Sequence, residues 1–357
     1  MTGTIDHQSL APVEEETPGL LHRFQRIQGF QILVLLLTLI ALFSVLEPAF
    51  ASVSNFRSIL VNTAILAVLG VGMTFVIITG GIDLSIGSVL VFSGVVASKV
   101  MTAAGGQGWD VALLGIVVSV VSGTLWGVLN GLIIARMNVP PLIATLGTLG
   151  IALGLSQIIT GGVDIREVPN VLVDSIGYGR VGGQVPILVV VSGVLVAIGI
   201  VLLHRTRFGL HTFAVGSNIE GGRRVGIDVD RHLVKVYALS GCSAGIAGIL
   251  SLSYFQATTI SGQSTTNLIV IAGVVIGGTS LFGGVGSIFG TIIGLFIPAV
   301  LQNGFVVMGV QPFWQQVVVG VILVVAVAVD QQRRNRQSTG KQRRASRAAG
   351  PAEPDPE

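Results

Sequence analysis

"VYALSGCSAGIAGILSLSYF", residues 236–255, opens a run that continues to Val329 without one Asp, Glu, Lys or Arg. Soluble domains carry about a quarter charged residues, so no ordinary water-facing surface can be built from this part of the chain. The rest is similar: 51% of the 357 residues are hydrophobic, 10% are charged, and the mean hydropathy is +0.84. The apolar runs are about 20 residues long, as a helix needs to cross hydrocarbon. They are not the alternating segments of about ten residues that build outer-membrane barrels. The expected fold is therefore all-α: a polytopic membrane helix bundle of about ten transmembrane helices, with broken or re-entrant Gly-rich junctions. Many of the 49 glycines fall inside the apolar runs, where small residues let helices approach closely.

Runs bounded by Gly, Pro or charge fall at about 30–47, 62–80, 84–104, 111–135, 142–160, 185–203, 236–256, 267–281, 285–303 and 313–329. An even number puts both termini on one side. That side then holds sixteen Lys and Arg side chains, among them six in the 204–235 loop and seven between Arg333 and Arg347, against four on the other. The positive-inside rule makes the richer side cytoplasmic. Merging the eighth and ninth runs would strand the basic C-terminal tail outside, so charge favours ten. The expected organisation is a cytoplasmic tail at 1–29, a transmembrane domain at 30–330 and a disordered tail at 331–357, basic and then acidic. Residues 1–29 are polar and read as a retained tail rather than a signal peptide.

Within "GGIDLSIG", residues 80–87, a lone carboxylate interrupts the apolar pattern. A charge at bilayer depth is costly, about 2.5–3.5 kcal/mol on insertion scales, so Asp83 needs local partners. Gly80 and Gly81 can end one helix in a left-handed turn, and Asp83 can cap the next by accepting from the amide of Ser85 or Ile86. Two roles stay open for it: a cap at the cytoplasmic boundary, or part of the broken-helix junctions that line solute routes in transporters. A second Gly-rich reversal, "VVIGGTSLFGGVGSIFG" at 274–290, echoes the first. Asn130, Gln157, Gln256, Asn267, Gln302 and Asn303 suit interhelical hydrogen bonds better than ligand contacts. The candidate pathway set is Thr79, Gly80, Gly81, Asp83 and Ser85, with Asn267 and Asn303.

No G-x-x-x-x-G-K-[ST] loop occurs, so the chain is not expected to hydrolyse ATP itself. His and Cys do not cluster at metal-ligand spacings, and no cofactor or metal is expected. The single cysteine, Cys242, reads as packing. The longest charged loop contains "NIEGGRRVGI", residues 218–227, expected to form a short helix that carries Glu220, Arg223 and Arg224, with Ile219 and Val225 to seat it.

Four stretches together resemble the ribose-type sugar permease subunits of bacterial ABC importers: "GMTFVIITGGIDLSIGSVL" at 72–90, "TRFGLHTFAVGSNIEGGRRVGI" at 206–227, "GGTSLFGGVGSIFGTIIG" at 277–294 and "NGFVVMGVQPFWQQVVVGVILVVAVAVD" at 303–330. Gly80, Gly81, Asp83, Leu84, Ser85 and Gly87 match the signature between the second and third spans. The resemblance implies a multi-pass inner-membrane conduit for a monosaccharide. It implies an ATP-binding subunit docked on a coupling loop made of Gly216, Ser217, Asn218, Ile219, Glu220, Gly221, Gly222, Arg223, Arg224 and Gly226. It further implies a second permease chain and a periplasmic or lipid-anchored sugar-binding protein, with no nucleic-acid partner. The chain departs from the family pattern at Asn267, where an acidic residue is common, at Val285, usually basic, and at Gly221 and Gly222, where alanines are common. Another small polar solute, or an ion-coupled secondary transporter, are the alternative functions.

Overall fold

A computed structural model describes residues 28–260, 265–311, 313–321, 324–325, 327–328 and 331–332. The tails expected at either end fall almost wholly outside these residues. The helices in chain order are α1 (Gln28–Leu46), α2 (Val53–Ile78), α3 (Ile86–Ala104), α4 (Trp109–Arg136), α5 (Pro141–Thr160), α6 (Ile187–Arg205), α7 (Arg207–Ser217), α8 (Ile219–Arg224), α9 (Val229–Phe255), α10 (Thr266–Ile276) and α11 (Ile288–Val307). Helix resumes at 313–321, within the tenth expected span. Among the described residues, α2, α3, α4, α5, α6, α9 and α11 are long and apolar enough to cross a bilayer, while α1 over Gln31–Leu46 and α10 are shorter apolar helices. The only described strands form a two-residue ladder, Arg180–Val181 against Val185–Pro186.

Two helices extend well beyond their apolar runs. α2 starts nine residues before the expected 62, where Ser52 accepts from the Asn55 amide, and α9 starts at Val229, where Asp228 accepts from the Arg231 amide. Hydropathy marks the part of a helix that sits in hydrocarbon, whereas the caps decide where its backbone bonds begin.

Small residues set the packing. Gly123, Gly127 and Gly131 on α4 lie against the backbone of α9 around Tyr237, Gly241 and Gly245, and a Cβ at any of them would overlap the facing helix. The same four-residue spacing recurs where Gly273 and Gly277 meet Gly290 and Gly294 between α10 and α11. Without a hydrophobic force between helices in lipid, such close backbone approach supplies the dispersion contact that holds them together. α2 runs through the centre: Leu69, Met73, Phe75, Val76, Ile77 and Ile78 are fully enclosed. α6 is peripheral and turns Val190, Val194, Ile198 and Val201 outward, a face suited to lipid. One end of the bundle carries α7 and α8, the other the strand ladder.

Candidate functional site

The end of α2 is closed by two backbone bonds, Gly80 N–H to Ile77 C=O at 2.9 Å and Gly81 N–H to Val76 C=O at 3.1 Å, with Gly80 left-handed at φ +80°. This is the glycine-terminated helix end expected from the sequence. The chain then turns back inward before α3 begins. Asp83 Oδ1 accepts from the Ser85 amide at 3.0 Å and from the Ser85 hydroxyl at 2.6 Å, while Oδ2 accepts from Ser240 Oγ on α9 at 2.8 Å. The amide bond to Ser85 is the expected one, and the Ser240 bond is a tether that no local motif announces. Asp83 is only 2% exposed and both its oxygens are occupied. In this conformation its side chain presents no open face to a solute.

The tether is one strand of a wider net. Asn130 on α4 donates to Ser85 Oγ at 2.8 Å and accepts from Thr148 on α5 at 2.7 Å. Thr145 donates to the Ile82 carbonyl at 3.1 Å, and Asn267 at the start of α10 donates to the Leu84 carbonyl at 3.0 Å. Four helices thus satisfy the backbone and carboxylate of one short non-helical segment, the condition for irregular chain at membrane depth. Asn130 lies six residues before the end of α4, about 9 Å inward along its axis. The segment therefore turns back into the helix bundle, a re-entrant course.

The second reversal repeats the helix end. Gly278 N–H bonds Val275 C=O at 2.9 Å and Thr279 N–H bonds Val274 C=O at 3.2 Å, with Gly278 at φ +92°. Ser287 then caps α11 by accepting from the Gly290 amide. The echo seen in the sequence is thus a repeated structure. The two reversals also touch, since the Gly284 amide donates to the Ile78 carbonyl at 2.8 Å.

Onto this junction sits the start of the expected coupling loop. Gly216, near the end of α7, packs against the Ile78 carbonyl so closely that a Cβ would overlap it and come within 2.8 Å of the Gly284 amide nitrogen; Ser217 lies beside Gly284. Asn218 then caps α8 by accepting from the Gly221 amide at 2.9 Å, and the short helix forms as expected. Its seating differs from expectation. Ile219 and Val225, expected to face inward, are 44% and 76% exposed, and Gly222 is the buried residue, against Val215 and Ile227. A six-residue helix has one narrow inward face, and Gly222 occupies it, where an added Cβ would make only ordinary contacts with Val215 and Ile227 at 3.7–3.9 Å. Arg223 pairs with Glu220 at 3.1 Å and Asp230 at 3.6 Å, whereas Arg224 is exposed and makes no ion pair among the described residues. The exposed side chains of α8 and its C-cap are thus Ile219, Glu220, Arg223, Arg224 and Val225, of which Arg224 and the two apolar residues make no ion pair among the described residues.

Of the candidate pathway residues, Thr79, Gly80, Gly81, Asp83, Ser85 and Asn267 come together, joined by Gly216 and Ser217. Asn303 does not: it lies sixteen residues beyond Ser287 along α11, with its Oδ1 buried and unpartnered among the described residues. Asn130 makes the interhelical bond expected of it, whereas Asn267 bonds the non-helical Leu84 carbonyl and Gln256 ends α9 in a left-handed conformation. Ser240, Thr145 and Thr148 escape sequence reasoning, because hydroxyls inside apolar runs are common and nothing local marks which one meets a carboxylate. Among the described residues no group of three His, Cys, Asp or Glu is placed to hold a metal ion.

Residues 55–327 match the family model described as branched-chain amino acid transport system / permease component. The chain is similar to the ribose import permease protein of Escherichia coli strain K12, 36% identical over 301 residues that span 84% of this chain and 92% of that protein. It is 34% identical over 306 residues to the fructose import permease protein of Rhizobium meliloti, 84% of each chain. It is 33% identical over 297 residues to the D-allose transport system permease protein of Escherichia coli strain K12, 83% of this chain and 89% of that one. No solved structure matches the chain significantly.

Proposed function

The chain belongs to the branched-chain amino acid transport system permease component family, and from that premise we propose that it is the membrane-spanning permease subunit of an ABC importer, forming the translocation pathway for a monosaccharide, ribose-like or related. The relatives named for ribose, fructose and allose support a sugar as cargo. The observation that carries the mechanism is the contact of Gly216 and Ser217 with both Gly-rich reversals. A rigid partner that grips Ile219, Arg224 and Val225 would move α8, and through Gly216 it would push on the Ile78 carbonyl, the point where the two reversals are joined.

In this reading ATP is hydrolysed on a partner ATP-binding cassette subunit, and the permease converts that subunit's motion into a choice between two access states. Asp83 anchors the re-entrant segment, so that the push shifts a braced element and is not absorbed by a loose loop. Thr79, Gly80, Gly81 and Ser85 belong to the moving junction. The distribution of Lys and Arg supports a bacterial inner-membrane chain with both termini and α8 in the cytoplasm, and the family arrangement supports a second permease chain and a periplasmic or lipid-anchored sugar-binding protein. An ion-coupled transporter would need a carboxylate able to exchange its partners along the route. Asp83 is saturated by fixed hydroxyl and amide donors instead.

The test is uptake by proteoliposomes containing this chain with its cognate ATP-binding and sugar-binding proteins. ATP-dependent accumulation of labelled D-ribose, D-fructose or D-allose is expected, unchanged by ionophores that collapse proton and sodium gradients. Uptake abolished by the ionophore while ATP is maintained would refute the energy source, and uptake of L-leucine without any sugar would refute the cargo.

A further inference from the structure

Toward the strand-ladder end of the bundle, a cavity of about 370 Å³ opens between α2, α9, α10, α11 and the helical residues 313–321. That volume lies within the ~300–1,000 Å³ usual for small-molecule sites. Its lining sets the carboxamides of Asn62, Gln302, Gln315 and Gln316 beside Phe255, Thr266 and several aliphatic side chains, and it contains no charged side chain. Asn62 and Gln316 are exposed. Asn62 lies nine residues into α2, about 14 Å along the helix from its start, within the apolar span. Carboxamides turned toward hydrocarbon would leave donors and acceptors unpaired, so a convergent set of four at this depth marks a wet surface.

The chemistry of the set is selective. Each carboxamide offers donors and an acceptor together, the complement of a ligand made of vicinal hydroxyls, and an aromatic ring offers an apolar face to the C–H side of such a ligand. A zwitterionic amino acid would require its ammonium and carboxylate to be matched by opposite charges once desolvated, and the lining has none. The cavity also meets the junction directly. Thr266 borders it, and the next residue, Asn267, holds the Leu84 carbonyl of the re-entrant segment. A ligand that shifts the first turn of α10 would therefore act on the same segment that α8 acts on from the other end.

We propose that this amide-lined chamber holds the neutral polyhydroxylated cargo during passage, with Gln302 and Gln315 as specificity-determining residues. This rests on the import reading above and assigns the place and the contacts to it. The experiment uses the full transporter in proteoliposomes, with the single cysteine removed as Cys242→Ser and one cysteine introduced in turn at Asn62, Gln302 or Gln315. Val194→Cys, on the outward apolar face of α6, serves as the lipid-facing control. A membrane-impermeant thiol reagent should modify the three chamber positions and leave the control intact. The sugar that the parent transports should slow that modification about tenfold, and L-leucine should not. In uptake, Gln302→Leu should raise KM about tenfold, the loss of roughly one well-formed hydrogen bond, with ATP hydrolysis retained. Chamber positions as unreactive as the control, or reactive but unprotected by a sugar that the parent does import, overturn the chamber and leave the import reading standing. Equal protection by L-leucine overturns the selectivity for neutral polyols. Failure of the parent to import any of D-ribose, D-fructose and D-allose overturns the import reading and this inference with it.

Discussion

At Thr79–Gly81 and at Gly277–Thr279 a helix is ended by the same pair of backbone hydrogen bonds, with Gly80 and Gly278 both left-handed. The segments beyond these two caps differ. After the first, Asp83 and Ser85 are bonded to α4 and α9, and the carbonyls of Ile82 and Leu84 to α5 and α10, all within the bundle. After the second, Phe282 and Val285 are exposed, Leu281 packs against the core, and the Gly284 amide bonds the Ile78 carbonyl. One backbone solution thus serves as a braced element in one place and as a surface lever in the other. The difference lies in the side chains placed after the cap.

The severest way to break this comparison is to separate the two reversals from α7. Gly216→Val would force a branched side chain into the Ile78 carbonyl. Overpacking of this kind costs about 1–3 kcal/mol or more, and the expected result is normal membrane insertion with uptake abolished. Gly221→Ala on exposed α8 meets only Asn218 and should leave uptake near the parental rate, so equal loss in both variants would show that the junction contact has no special role.

Next in size is the brace itself. Asp83→Leu strands the Ser85 amide and the Ser240 hydroxyl, at about 1–3 kcal/mol for each buried group left unpaired, while Asp83→Asn keeps an acceptor for one of them. Thermal unfolding of the purified chain in detergent should rank parent, Asn and Leu in that order, with uptake ranked the same way. A Leu variant as stable as the parent would mean that Asp83 does not brace the segment.

A smaller effect, confined to coupling, is expected on α8. Arg224→Glu reverses an exposed charge with no ion-pair partner among the described residues, so it should weaken co-purification of the ATP-binding subunit about tenfold without changing stability, as charges at an interface rim do. Arg223→Glu loses its pairs with Glu220 and Asp230, which are exposed and worth about 0–1 kcal/mol. If Arg223→Glu weakens co-purification more than Arg224→Glu, the docking face has been assigned to the wrong side of the helix.

The smallest effect is expected where the two reversals differ most. Thr279 Oγ1 is buried without a partner among the described residues, so Thr279→Val removes no hydrogen bond and should not lower stability. Ser85→Ala, a few residues past the first cap, removes the hub between Asp83 and Asn130 and should cost clearly more. Equal shifts in melting temperature for the two would erase the distinction between brace and lever.

Much of this molecule was legible without coordinates. The charge-free run from Val236 to Val329, the span positions, the glycine-ended turn at Gly80, the Asp83 bond to the Ser85 amide and the short helix at Ile219–Arg224 all obey local rules. Apolarity is a one-dimensional signal for burial in lipid, and caps and left-handed glycines act within four or five residues of themselves. Other features were hidden for a definable reason. Ile219 and Val225 looked like seating residues because apolar side chains usually turn inward, yet Gly222 holds that face. Ser240 as the partner of Asp83, Gly216 on the Ile78 carbonyl, and Asn62 beside Gln302 and Gln315 join residues more than a hundred positions apart. A single hydroxyl, glycine or amide carries no mark of its distant partner, and only the folding of the helices onto their glycine faces brings each pair within reach.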